Sequence, residues 1–279
     1  FNLRIKHLRY IGKGSFGLVY KGDVWTLENP EKKRKLAVKF SKDADGLTEL
    51  EMLKKCSHDC IVDLHYFFIW EEWDGEKRVN LVLELFDSDL YAILKKEWKQ
   101  DQGLGMLTQV YMFQCFKGLE YLHSKRIGHR DIKPENLLVL KEKGILKISD
   151  FGCSKEFRSD TLNGHYVGTR YYRAPELLLG SQSYNTSCDW WSAACVLAEL
   201  ILYIPLFHGH TNDDNQLECI YDVLGTPTAK DISAMKVTYS PKLINAHDAV
   251  MTFEHVFKDE YFPSKTNEKQ FLDLMSRVI

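Results

Sequence analysis

"GHRDIKPENLL" (Gly128–Leu138) is followed shortly by "ISDFG" (Ile148–Gly152). Together they hold a carboxylate, a lysine two positions on, an amide five positions on, and a second carboxylate next to Phe-Gly. Moving a phosphoryl group needs a carboxylate to orient the acceptor, oxygen ligands for a metal facing the triphosphate, and a cation against the transferred charge. Asp131 fits the first role, Asn136 and Asp150 the second, and Lys133 the third. Oxygen-only ligands suit Mg2+, which keeps much of its octahedral shell from phosphate and water. "APE" (Ala174–Glu176) comes next, and chance co-occurrence of these stretches in this order is negligible.

Upstream, "GKGSFG" (Gly12–Gly17) has the form G-x-G-x-x-G. A dinucleotide-binding loop of that form runs from a strand into a helix, with an acidic residue about 20 positions on. Here it passes into "LVYKG", another strand, and so reads as a hairpin lid whose glycines let backbone N–H groups close over phosphates. Alone, it reads equally as a glycine-rich hairpin without a ligand. "LAVKF" sets Lys39 on a strand between apolar neighbours, where an ammonium needs an anionic partner. Glu49, on the next predicted helix, is placed to supply it; Glu51, two positions on, points to a different face.

Five stretches read as strands, "HLRYIGKG", "GLVYKGDVW", "KLAVKF", "CIVDLHYFFIWEEW" and "VNLVLEL", parted by polar tracts including "TLENPEKKRK". From about Asp87 helical texture takes over. "LTQVYMFQCFKGLEYLHSKRI" repeats Val110, Phe113, Gln114, Lys117 and Tyr121 near helical spacing, and "CDWWSAACVLAELILY" is apolar nearly all round, as in the middle of a helical core. The fold class is therefore α+β, with a small β-rich lobe over residues 1–86, a connector around Glu84 to Asp89, and a larger helical lobe over 87–279.

On these motifs the chain resembles the eukaryotic protein kinases over essentially its whole length. The resemblance implies ATP and Mg2+ as cofactors, Asp131 as catalytic base, and Asp150 and Asn136 as metal ligands. It matches Gly12, Gly14 and Gly17 to the lid, and Lys39 and Glu49 to the strand-lysine and helix-glutamate pair. Asp189 matches the buried aspartate that fixes the catalytic-loop backbone. Leu83 would then guard the back of the nucleotide pocket, Glu84 offer a carbonyl and Phe86 an N–H to adenine, and Asp89 meet the ribose. Ile11, Val19, Ala37 and Leu138 would enclose the base.

"RYYRAPELLLG" and "DNQLECIYDVLGTPT" are similar to the group of cyclin-dependent, mitogen-activated and glycogen synthase kinases. "LHYFFIWEEWDGEKRVNLVLEL", the spacing of "HYVGTRYYRAPE" and the insert "LGTPTAKDISAMKVTYSPKLINAH" most resemble the glycogen synthase kinase 3 family. The usual activation-segment threonine is replaced by Gly164. In that family Tyr166 would be autophosphorylated, flanked by Arg170 and Arg173, and a basic pocket would take a phosphate already carried by the substrate. Arg130 and Lys155 occupy two of its three positions; the third holds Thr48, which implies a weakened preference for such substrates. A proline-directed kinase of the cyclin-dependent or mitogen-activated type is the alternative reading, separable with a positional-scanning peptide library. A pseudokinase is disfavoured by the intact Lys39, Glu49, Asp131, Asn136 and Asp150.

The 279 residues are 44% hydrophobic and 27% charged, with a net charge of −2. That balance argues against a general polyanion binder, and no apolar run reaches the roughly 20 residues needed to span a bilayer. Nucleic acid and membrane are thus not expected partners; protein substrates, pre-phosphorylated or not, and scaffold proteins at the C-lobe are, with a monomeric chain. The 7 scattered cysteines suit a reducing compartment, cytoplasmic or nuclear. "CSHDC" (Cys56–Cys60) lacks a second pair to complete a zinc site and reads as buried thiols at a helix end. Cys153 reads either as a small buried residue or as a reactive thiol lining the pocket. "EKKRK" (Glu31–Lys35) reads as a solvated hairpin between strands. The chain opens at Phe1 and stops at "MSRVI", as a domain cut from a longer protein would, without the arginine expected to partner Glu176.

Overall fold

The computed structural model describes residues 2–14, 17–71, 75, 77–100, 105–158, 163–164, 168–237, 249, 251–257, 261–262 and 264–279; for 42–45, 97–100 and 105 only the backbone is described. The N-terminal part is one antiparallel sheet of β1 (Leu3–Gly14), β2 (Gly17–Thr26), β3 (Asn29–Lys42), β4 (Leu64–Glu71) and β5 (Lys77–Leu83), in the order β1-β2-β3-β5-β4. Alternating small and branched residues drive the two-faced burial: Leu36, Val38 and Val82 fill a small apolar cluster with Val24 on one face, while Ala37, Val79, Leu81 and Leu83 join the main core on the other. Helix α1 (Asp43–Lys55) packs on that second face.

The strand reading holds, with one correction. The polar tract after β2 is not a long loop: only Leu27 and Glu28 make the turn, and β3 starts at Asn29. "EKKRK" is therefore solvated as expected, all five residues being exposed, but it lies in the strand arm of the β2–β3 hairpin and not in its turn, with Arg34 opposite Val24 and Lys35 opposite Asp23. A tight turn leaves the long, charged side chains free to extend from the pleat, so their polarity did not signal a loop.

After β5 come β6 (Ser88–Asp89), α2 (Leu90–Gln100), α3 (Gly105–Ser124), β7 (Ile127–Gly128), β8 (Leu137–Leu140), β9 (Ile145–Ile148) and β10 (Lys155–Glu156). They are followed by α4 (Pro175–Leu178), α5 (Ser187–Leu202), α6 (Asp213–Leu224), α7 (Ala229–Ala234), α8 (Phe253–Val256) and α9 (Lys265–Val278). Short sheets β6-β8-β9 and β7-β10 carry the catalytic loop and the start of the activation segment. Helix α5 is buried along almost its whole length, as its uniform apolarity requires. Helix α3 forms where expected, but its core face is Tyr111, Met112, Cys115, Leu119 and Leu122. The repeat through Val110 and Phe113 is the exposed side, because a helix apolar on several faces lets more than one stripe fit the period. Among the described residues no helix is long and apolar enough to cross a membrane.

Candidate active site

Lys39 lies on β3 with 4% of its surface exposed. Its Nζ is 2.6 Å from Glu49 Oε2 on α1 and 2.6 Å from Asp150 Oδ1. Burial lowers the Lys39 ammonium, but the charges of Glu49 and Asp150 outweigh it and raise it above the ordinary value. Glu49 is pushed up by its own burial, against the pull of Lys39. The ten-residue gap from Lys39 to Glu49 is spanned without a loop: β3 ends at Lys42 and α1 begins at Asp43. Gly46 makes this possible, since a Cβ there would lie 2.8 Å from Ser41 Cβ and 3.0 Å from Val79 Cβ.

The hairpin lid closes over this cluster, with Gly14 opposite Gly17; Ser15 and Phe16 lie outside the described residues. A Cβ on Gly14 would stand 3.6 Å from Asp150 Oδ2. A Cβ on Gly17 would fall 2.2 Å from the Phe40 carbonyl oxygen, so that glycine is required by strand contact. Ile11, at a bulge in β1, is exposed, Val19 is half-buried opposite Lys39, and Ala37 pairs with Leu83. Leu138 stands opposite Asp89 in the short sheet below.

The catalytic loop hangs on Asp189 of α5. Its carboxylate accepts the backbone N–H groups of His129 (2.8 Å) and Arg130 (2.7 Å), and His123 Nε2 is 2.9 Å away. These bonds hold Arg130 at φ +65°, a left-handed conformation that a non-glycine residue keeps only when its surroundings fix it. Asp131 is oriented from both sides. Its Oδ1 accepts from the Thr169 backbone N–H and hydroxyl (both 2.9 Å), and its Oδ2 meets Asn136 Nδ2 (3.0 Å) and Lys133 Nζ (2.9 Å). Lys133 also donates to Thr169 Oγ1 at 3.0 Å. Thr169 was not picked out from the sequence, where a threonine between glycine and arginine carries no distinctive pattern. The Asn136 amide nitrogen also donates to the Asp131 carbonyl at 2.8 Å, which leaves its oxygen as the atom to meet a cation. One amide oxygen and one carboxylate are a donor set that fits Mg2+ completed by phosphate and water.

Behind the connector, Lys147 Nζ on β9 is 2.7 Å from Glu84 Oε2 and 2.8 Å from Asp63 Oδ2. Asp89 Oδ1 accepts the Ala92 N–H at 2.8 Å and so starts α2, and burial raises its carboxyl. Phe86 is half-buried against the core. Burial, with Asp131 and Asp150 adding to it, pushes the Cys153 thiol up to about 11, which makes it a packed thiol rather than a reactive thiolate.

In the activation segment, Arg173 Nη1 is 3.0 Å and Arg170 Nε 3.5 Å from Asp213 Oδ1 on α6, and Arg173 Nη2 donates to the Gly168 carbonyl at 2.7 Å. Tyr166, which the two arginines were expected to flank, lies outside the described residues, as do positions 238–247 of the insert after α6, whose first part forms α7. Arg130 Nε donates to the Cys153 carbonyl (2.7 Å) and Nη1 to the Tyr184 hydroxyl (3.0 Å), which in turn donates to the Gly164 carbonyl (2.6 Å). Lys155 is lowered by partial burial and by the charge of Arg130, so the two cations are neighbours. Thr48 is half-buried on α1.

The family model "Protein kinase domain" matches residues 5–278. The chain belongs to the protein kinase family. This kinase is 41% identical over 232 residues to the serine/threonine-protein kinase RIM11/MSD1 of Saccharomyces cerevisiae, an alignment covering 82% of the kinase and 61% of that relative. The chain thus spans about 61% of the length of the curated relative. Both findings support the motif-level resemblance to the glycogen synthase kinase 3 family.

Proposed function

We propose that this chain is the catalytic domain of an ATP-dependent protein serine/threonine kinase of the glycogen synthase kinase 3 type, its lobes meeting between Phe86 and Asp87. The observation that carries this is Lys39 shared at 2.6 Å by Glu49 and Asp150, facing an Asp131 held by Thr169, Asn136 and Lys133. Adenine lodges between Ile11, Val19 and Ala37 above and Leu138 below, with Leu83 behind, the Glu84 carbonyl and Phe86 N–H at its edge, and Asp89 toward the ribose. Lys39 holds the α- and β-phosphates under the Gly12–Gly17 lid. Asn136 and Asp150 would hold Mg2+, which neutralises charge building on the transferred group. Asp131 accepts the proton of the substrate hydroxyl, and Lys133 stands beside the phosphoryl in flight.

Arg130 and Lys155 form a two-cation pocket for a substrate phosphate, with Thr48 in place of a third cation. A hydroxyl gives one hydrogen bond where a guanidinium gives a charged fork, a loss of about 1.5–3 kcal/mol if the site is well buried. The kinase therefore relies less on pre-phosphorylated substrates than its family. Phosphorylation of Tyr166, docking of scaffold proteins on the C-lobe, a monomeric state and a cytoplasmic or nuclear location complete the proposal; the scattered free thiols support the last.

The test compares kcat/KM for a serine peptide with and without phosphoserine at the fourth position after the target. Transfer from ATP should require Mg2+ and vanish in Asp150→Ala, and Thr48→Arg should raise the primed-to-unprimed ratio about tenfold. A wild-type ratio of several hundred would overturn the pocket reading while leaving the kinase assignment intact.

A further inference from the structure

Opposed residues of an antiparallel pair share a side of the sheet, as do residues two apart on one strand. Across β1 and β2, Arg4 stands opposite Trp25, Lys6 opposite Asp23 and Arg9 opposite Lys21. Across β2 and β3, Lys21 opposes Ala37 and Asp23 opposes Lys35. Lys33 completes the set, its Nζ 5.3 Å from the Trp25 ring centre, with Lys6 Nζ at 6.0 Å. Arg4, Lys6, Arg9, Lys21, Lys33 and Lys35 thus share one face, and all but the half-buried Lys21 are exposed. It is the face that carries Ala37 and Lys39, continued outward past the nucleotide. Two carboxylates stand among them, Asp23, which His7 Nδ1 already binds at 2.9 Å, and Glu31, two residues before Lys33 on β3, so the cations outnumber them three to one.

We propose that this basic sheet face docks an acidic segment of a partner protein, laid as extended chain along the strands. Charge complementarity selects the ligand's sign, since this concentration of cations stands in a chain whose net charge is −2. Size selects the extended peptide. Arg4 to Arg9 covers roughly 17 Å along β1 and the three strands about 10 Å across, the footprint of about five or six extended residues. The chain's overall negative charge opposes a long polyanion or an anionic bilayer. The Trp25 ring, with two ammonium groups on it, is not presented for stacking a base or entering a membrane.

The test is fluorescence anisotropy with a labelled peptide carrying about six consecutive Asp and Glu residues, beside its Asn/Gln counterpart, at about 50 mM salt. The wild-type kinase should bind the acidic peptide and not the amide one. Affinity should fall roughly tenfold in Lys33→Glu/Lys35→Glu and several-fold in the milder Lys6→Gln. The control Lys125→Glu/Lys143→Glu, with the same net charge but both changes in the other lobe, should bind as wild type. kcat/KM toward a short neutral-flanked substrate should stay unchanged in all of them, which keeps failure of docking distinct from failure of catalysis. No binding, an equal loss in both double variants, or stronger competition by a single-stranded oligonucleotide or phosphatidylserine vesicles of matched charge would overturn the proposal.

Discussion

Glu199 is a buried carboxyl group on apolar α5, within 2.6 Å of the Tyr172 hydroxyl that donates to it. Burial, with the charge of Glu135 adding to it and the Tyr172 bond opposing it, pushes Glu199 up to about 7 from the ordinary 4.5. Between those two values the folded chain keeps a proton that the unfolded chain has lost. Stability therefore falls as pH rises from 4.5 to about 7 and levels off above. At about 1.4 kcal/mol per pKa unit the full cost is on the order of 3 kcal/mol. Glu199→Gln keeps an oxygen for Tyr172 and removes the titration, so it should raise the melting temperature at pH 8 and leave it nearly unchanged at pH 5. Equal effects at both pH values in a thermal-shift series would refute this. Nothing local in "CVLAELILY" reveals that environment, just as Thr169 is invisible from Asp131, 38 residues away. Lys39, Glu49, Asp131, Asn136 and Asp150 were legible because phosphoryl transfer demands those side-chain types at those spacings, and the fold brings them together.

At the scale of elements, the strands were legible from alternation and the helices from texture, while faces and boundaries were not. The α3 stripe read from the sequence turned out to be its outer side, because Tyr111, Met112 and Cys115 satisfy the same period. β3 reached back into a tract whose lysines read as loop, since a charged side chain on an exposed strand face costs the sheet little. The lid shows the limit of motif reading most directly: its three glycines look equivalent in sequence, yet the structure separates them. Gly17→Ala would drive a Cβ to 2.2 Å from the Phe40 backbone oxygen, whereas a Cβ on Gly12 meets nothing within 4 Å. Gly17→Ala should therefore separate β2 from β3 and lower stability by about 1–3 kcal/mol, several degrees in melting temperature. Gly12→Ala should melt with the wild type. Matching losses in the two variants would mean that strand contact is not what requires glycine at Gly17.

For the whole molecule, the order of motifs along the chain was enough to read a β-rich sheet followed by a helical region, and the family match carries that reading across residues 5–278. The tie between the sheet and the helical part could not be read, because its three members are remote in sequence. Lys147 on β9 joins Glu84 of the connector and Asp63 ahead of β4, and Glu84 N–H also donates to the Asp63 carbonyl at 3.0 Å. Burial raises the Asp63 carboxyl, but the hydrogen bond and charge of Lys147 outweigh it and hold it below the ordinary 3.8. A depressed carboxyl contributes stability that is present above 3.8 and lost as pH falls through its lower folded value. Lys147→Met removes that contribution and leaves two carboxylates facing each other, so its urea-unfolding deficit should be largest near pH 7 and shrink as pH drops toward 3.8 and below. Asp63 is half exposed, so solvent screening keeps the deficit modest. The connector that Lys147 steadies is also where adenine is proposed to bind, so KM for ATP should rise several-fold while kcat changes little. A fall in kcat at unchanged KM would place the function of Lys147 in the chemical step instead, through β9 and the adjoining Asp150, and not in the connector.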